Sequence, residues 1–347
     1  VGHGTLLIVA LIVAWSTWTR DESVSMEEFQ TTVWTADAEA VDSVTYAGGG
    51  RYLVVTRRNE DGDRYLWGWQ VETALDSTGT PIPTRRDTSY FPVNAEAEDL
   101  LELVAPLQAL RDLGTLESLS PERRSEYGLD TPEDTLVVHL SRGREERMFL
   151  GGVVFGGSGR YAVAPATGRA YAISGLLSEI LESGLGRLRS HDLHAFQLDE
   201  VARVVLTTPR SEQIRVRTGG FGATSTWAAP ETPARVDATF GNFMSRVVGL
   251  RPLAFVNALP ADSLELLATL EYQDDDDDLL GAMEFFRGRD GEGGDRSYYL
   301  RTEFTRILAQ PSVAQAERIA EDLDQLFRGA GGPQAAGPTD SMESLTP

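Results

Sequence analysis

The chain has 347 residues, with 31 Lys plus Arg against 53 Asp plus Glu, a formal charge of −22 and no cysteine. That length holds two domains of roughly 100–200 residues, each able to bury a core, while the charge repels phosphate backbones and leaves nucleic acid no electrostatic reason to bind. Missing cysteines exclude disulfides, thiolate metal sites and cysteine nucleophiles; every basic side chain is Arg, so lysine Schiff-base and P-loop chemistry are excluded too.

From Val1 to Thr19 there is no Asp, Glu, Lys or Arg. Nineteen helical residues rise about 28 Å, close to a hydrocarbon core, and Trp15 and Trp18 sit where an interfacial aromatic belt belongs. The favoured expectation is a transmembrane anchor over 1–19, with the remainder of the chain exported. A cleaved signal ending near Ala14 and Ser16, or a buried helix, are the rivals. Residues 20–40 read as a linker.

Next, Val44–Ala47, Tyr52–Arg58 and Tyr65–Val71 alternate like strands between Gly48-Gly49-Gly50 and Asp61-Gly62 turns. Asn94 can cap a helix with Leu100, Leu103, Val104, Leu107 and Leu110 on one face, interrupted at Pro106 and stopped at Gly114. A strand with Leu136, Val138 and Leu140 follows, then its return Arg147–Leu150, the pair Tyr161–Ala164 and Ala170–Ile173, and a closing helix around Leu177 and Ile180.

The same order recurs. Val201–Thr208, Ile214–Thr218 and a strand with Trp227 precede a helix predicted to open at Thr232 and Pro233, with Val236, Phe240, Phe243 and Val247 on its face. Leu264–Tyr272 alternates strictly, Met283–Phe286 returns, Tyr298–Arg301 and Arg306–Ala309 follow, and Ser312 with Gln315 forms a capping box for the last helix. The expectation is α+β: a tandem repeat of two units, 41–189 and 190–327, each of antiparallel β hairpins packed with helices, after the anchor. The tail, 328–347, has a disordered composition.

Candidate chemistry is sparse. Asp274–Asp278 falls at a predicted hairpin tip, without the ligand spacing of a calcium loop. His191, Asp192 and His194 offer imidazoles without a third partner, and read as a boundary segment; His139 reads as an outward strand position. Gly156-Gly157-Ser158-Gly159-Arg160 lacks the last glycine and the strand-to-helix context of a nucleophile elbow. Tyr65, Trp67 and Trp69 are the candidates for ligand or partner contact, since their rings can stack on a sugar, although aromatics so placed also serve as cross-strand packing. No catalytic residue, cofactor or metal is expected.

Ser120-Pro121-Glu122-Arg123-Arg124-Ser125-Glu126-Tyr127-Gly128-Leu129-Asp130-Thr131-Pro132 reads as a capped short helix with a glycine stop and a hydrophobic fold-back. With Thr135–Leu140, Phe149-Leu150-Gly151, Gly159-Arg160-Tyr161-Ala162, Ala170-Tyr171-Ala172-Ile173 and Leu188-Arg189-Ser190-His191-Asp192-Leu193, it resembles the bacterial domain-of-unknown-function family 4340 over about residues 120–205. His191 departs from the basic residue usual at that junction, and the second unit lacks the Tyr-Gly-Leu-Asp turn. The resemblance implies a protein anchored by a single pass in a bacterial inner membrane, its soluble part in the periplasm, associated with the permease or accessory subunits of a gliding-type ABC transporter, and no catalytic residues. The resulting expectation is a non-catalytic extracytoplasmic accessory protein; the alternative is an extracytoplasmic glycan- or lipid-binding module.

Overall fold

The computed structural model describes residues 30–60, 62–75, 81–257, 259–289 and 297–328. These divide into two compact units, the first ending at Arg189 and the second beginning at Ser190, with Ser89–Pro92 grouped with the second.

Alternating apolar side chains dictate most of the architecture. In the first unit β2 (Val41–Gly48) turns Val44 and Tyr46 inward, and β7 (Asp134–Leu140) turns Leu136, Val138 and Leu140 inward while His139 stays exposed. With β1 (Thr31–Trp34), β3 (Arg51–Glu60), β4 (Asp63–Leu75), β5 (Pro81–Pro92), β6 (Leu107–Thr115), β8 (Arg144–Val153), β9 (Arg160–Ala164) and β10 (Arg169–Ile173), they form a ten-stranded sheet ordered β1-β6-β10-β9-β8-β7-β2-β3-β4-β5. Helices α1 (Glu96–Val104), α3 (Gly175–Ser183) and α4 (Leu185–Leu188) pack on one another, and the C-terminal end of α2 (Pro121–Glu126) meets β8, where the Gly152 N–H donates to the Tyr127 carbonyl at 2.8 Å.

The second unit is an eight-stranded sheet: β11 (Arg203–Thr207), β12 (Glu212–Gly219), β13 (Thr226–Ala228), β14 (Pro252–Val256), β15 (Leu264–Gln273), β16 (Leu279–Gly288), β17 (Tyr298–Thr302) and β18 (Leu308–Pro311), ordered β13-β12-β11-β15-β16-β17-β18-β14. Helices α5 (Ala238–Val248) and α6 (Val313–Arg328) pack together, burying Phe240, Phe243 and Met244 from one and Ala316, Ile319 and Leu323 from the other. The first sheet, from β4 to β6, reads β4-β3-β2-β7-β8-β9-β10-β6, the same succession of connections as the second; β1 and β5 are additions to the first.

The expected α+β fold with an N-terminal transmembrane helix is corrected by these sheets. The described chain is mainly antiparallel β structure, and helices are a minority. Four strands lie where none was expected. Thr31–Trp34, inside the expected linker, pairs with β6; Pro81–Pro92 and Pro252–Val256 carry prolines that hide a strand pattern; and Leu107–Thr115 takes the place of the end of the helix expected to carry Leu107 and Leu110 up to its stop at Gly114. That last helix ends at Val104, because Pro106 has no N–H to continue the ladder, and the chain resumes as β6 with Leu107 buried and Leu110 exposed. The helix expected from Thr232 starts instead at Ala238, where the Asp237 Oδ1 accepts the Phe240 N–H at 3.0 Å.

The anchor expected over 1–19 lies outside the described residues. Among those described, no helix is long and apolar enough to cross a membrane, so a single-pass inner-membrane placement with a periplasmic soluble part is not supported.

The motif behind the family resemblance folds as its chemistry requires. The Ser120 Oγ accepts the Arg123 N–H at 3.4 Å, Gly128 takes φ +63°, and the Leu129 N–H returns to the Arg124 carbonyl at 2.9 Å. Leu129 is buried with Leu119, Tyr161 and Ala170, and Tyr127 stacks on Tyr161 at 4.0 Å.

Candidate functional site

A cleft opens in each unit. In the first, the Gly48-Gly49-Gly50 turn between β2 and β3 opens a cleft of about 730 Å³ lined by Arg51, Tyr52, Trp69, Arg86, Glu133 and Asp134. Glycine is required at 48 by proximity: a Cβ there would lie 2.5 Å from the Asp134 carboxylate carbon and from the Tyr46 hydroxyl oxygen.

Registry builds the aromatic wall. Val54 faces Trp69 and Tyr52 faces Val71 across the β3–β4 hairpin, so Tyr52 and Trp69 are diagonal neighbours with ring centroids 5.4 Å apart, tilted by 40°. Tyr52 is 42% exposed and Trp69 half-buried, leaving ring surface open to the cleft.

Behind this wall stands a polar network. The Tyr46 hydroxyl donates to Asp134 Oδ2 at 3.2 Å, Arg160 reaches the same oxygen at 3.0 Å and pairs with Glu182, and Arg51 bonds Glu72 at 3.2 Å and the Glu182 carbonyl. Burial, followed by the Asp134 charge, pushes the Tyr46 phenol well above its ordinary range. It therefore stays a donor at neutral pH, and Asp134 is a fixed acceptor.

Of the aromatic candidates, Trp69 lines this cleft. Trp67 is 2% exposed, with the Arg58 guanidinium 5.4 Å from its ring centre and Tyr65 edge-on at 6.2 Å. Tyr52 and the four charged residues were not singled out by sequence. Tyr52 was recoverable from the two turns that bracket β3, whereas Asp134 arrives through the long-range pairing of β7 with β2.

The second cleft, about 530 Å³, is built on the segment after Ser190; Asp192, His194, Phe196, Asp199, Arg251 and Phe304 are among its lining. The Glu303 carboxylate takes His194 Nδ1 at 3.0 Å, the Ala195 N–H at 3.2 Å and the Ala282 N–H at 3.1 Å. Gly281 permits this approach, since a Cβ there would sit 2.6 Å from Glu303 and 2.8 Å from Phe196. The Thr302 hydroxyl donates to the Leu193 carbonyl, fastening the same segment.

The His194 and Phe196 ring centres lie 4.7 Å apart, and Tyr272 meets them at 4.7 and 5.4 Å. Tyr272 is fully buried, its hydroxyl has no partner among the described residues, and burial together with the Glu303 charge pushes that phenol far above its ordinary range. An orphaned buried hydroxyl costs about 1–3 kcal/mol.

The sequence predicts a boundary segment at His191, Asp192 and His194. The structure leaves His191 exposed and turns His194, its side chain 7% exposed, onto Glu303, 109 residues away. Among the described residues no three His, Asp or Glu side chains gather as a metal site. Asp274–Asp278 is the tip of the β15–β16 hairpin, where the Asp274 Oδ1 accepts the Asp276 and Asp278 N–H groups at 2.9 Å and Arg203 pairs with Asp277 at 2.9 Å.

No curated protein matches the chain. A family match covers residues 86–268, more than half of its length, running from within β5 through α4 in the first unit and from β11 through β14 into β15 in the second. With the capped turn at Tyr127-Gly128-Leu129 inside that span, the chain belongs to the family Domain of unknown function (DUF4340).

Proposed function

We propose that the chain is a non-catalytic binding module whose first unit holds a glycan in the cleft beside Tyr52 and Trp69. The observation that carries this reading is the half-open aromatic pair flanked by Arg51, Arg86, Glu133 and Asp134. A sugar presents apolar C–H faces to stack on rings and hydroxyls that both donate and accept, so planar carboxylates and guanidiniums beside an aromatic wall match it. The same charged lining disfavours the acyl chain of a lipid.

Glycan-array binding of the purified protein, followed by calorimetry on the hits, tests the reading. Tyr52→Ala should weaken a hit about tenfold, in line with one lost stacking contact. Absence of any glycan hit, or hits indifferent to both Tyr52→Ala and Trp69→Ala, refutes it.

We propose as a second reading, resting on what the sequence resemblance over residues 120–205 implies, that the module works as an accessory subunit of an ABC-type export system. Affinity purification of the full-length protein with identification of co-purifying permease subunits tests that association, and recovery without any transporter component counts against it.

A further inference from the structure

We propose that the cleft of the second unit is a separate binding site for a primary ammonium carried on an aromatic or apolar body. The inference stands apart from the glycan reading, because its residues belong to the other unit.

Its central observation is His194. An ionised carboxylate only accepts hydrogen bonds, so Glu303 fixes the imidazole hydrogen on Nδ1 and leaves Nε2 as the acceptor of the neutral ring. Among the described residues Nε2 has no hydrogen-bond partner, although the side chain is 7% exposed and lines the cleft. A ligand therefore has a preoriented acceptor to satisfy. Three donors on Glu303 hold its carboxylate, and hence the ring, in place.

Charge selects the donor. Asp192 and Asp199 stand exposed on the lining; the Asp199 carboxylate has no partner among the described residues, while Asp192 accepts only from Ser190 at 3.1 Å on its side chain. The opposing cation, Arg251, spends one nitrogen on the Val248 and Leu250 carbonyls at 3.2 and 2.7 Å. Two carboxylates, with Glu303 behind them, favour a cation over an anion, and a chain of formal charge −22 draws cations toward its surface. Phe196 and Phe304 supply ring faces for an ammonium and for an apolar body. Nε2 demands an N–H, which a quaternary ammonium lacks.

The test is an NMR titration of the full chain with 2-phenylethylamine, read at the Gly222 and Val248 amides. Phenylacetate and the N,N,N-trimethyl analogue are the comparison ligands. The expected result is saturable shifts with the amine, weakened about tenfold for phenylacetate and several-fold for the trimethyl compound. The exposed double variant Asp192→Asn/Asp199→Asn should weaken the amine about fivefold without unfolding. His194→Asn keeps a donor toward Glu303 and removes Nε2, so it should abolish the preference for the amine over the trimethyl compound. Phenylacetate binding as tightly as the amine, no saturable shift with the amine, or an unchanged affinity in the double Asp variant overturns the proposal. None of these results bears on Tyr52 or Trp69.

Discussion

Replacing Tyr272 by Phe should make the second unit more stable. The ring packs against His194 and Phe196 at centroid distances of 4.7 and 5.4 Å, and phenylalanine keeps those contacts. Only the hydroxyl is lost, and it is buried without a partner among the described residues, beside the negative Glu303. Such a group forfeits its hydrogen bonds to water on folding, a cost of about 1–3 kcal/mol that the phenylalanine ring does not incur. The vacated space is smaller than a methyl group and gives back part of this, so a net gain of about 1 kcal/mol is expected. Urea unfolding followed by circular dichroism measures it, as a rise in the midpoint of the transition sensitive to the second unit at unchanged slope, because two units need not unfold together. A loss of 1 kcal/mol or more would refute the reasoning by showing that the hydroxyl is satisfied in solution.

Glu303→Gln should destabilise the second unit by about 2 kcal/mol in the same assay, since an amide presents one N–H end toward donors that the carboxylate accepts on both oxygens. Gly281→Ala should cost at least as much, because the added carbon lands 2.6 Å from that carboxylate and 2.8 Å from Phe196; a neutral melting temperature would count against the packing described. Gly128→Ala combines φ +63° with a contact of 2.8 Å to the Gly152 nitrogen and should lower the first unit's stability by about 2 kcal/mol in thermal unfolding. Burial raises the Asp112 carboxyl, but the Gly114 N–H and Arg169 outweigh it and hold the group below the usual carboxylate range. Its contribution to stability is therefore complete above that range and is lost as pH falls through the depressed value, so Asp112→Asn should flatten the acid limb of a stability–pH curve. An unchanged acid limb would remove Asp112 from the account.

Strands with a clean two-residue period were legible, as Leu136, Val138 and Leu140 in β7 and Ala268, Leu270 and Tyr272 in β15 show. Leu266 kept the period in sequence but is 39% exposed, because the β15–β16 register shifts between Leu266 and Ala268. β5 was illegible for a different reason: Pro81, Pro83 and Pro92 and the Arg85-Arg86-Asp87 run give it the composition of a loop, and sheet membership comes from its neighbour β4. The helical reading of Leu107 and Leu110 failed because two leucines three residues apart satisfy a helix face as readily as a bulged strand does. In the sites, local chemistry found Trp69 from its own strand. It missed Glu303, whose meaning depends on His194 across 109 residues of chain, and Asp134, which reaches the cleft only when β7 docks on β2.

Both sheets are open, and each therefore ends on strands whose outward amides and carbonyls invite a foreign chain to extend the ladder. The end strands are poor templates. β1 is four residues long and β13 three, β14 opens on Pro252, and β5 interrupts its donors with three prolines and exposes Arg86. Strand-by-strand growth into aggregates thus meets a short or donor-poor margin at every border of the described sheets. Selection for recombinant solubility should leave those borders alone, and substitutions that restore N–H groups at Pro83 or apolar character at Arg86 are where self-association should first emerge.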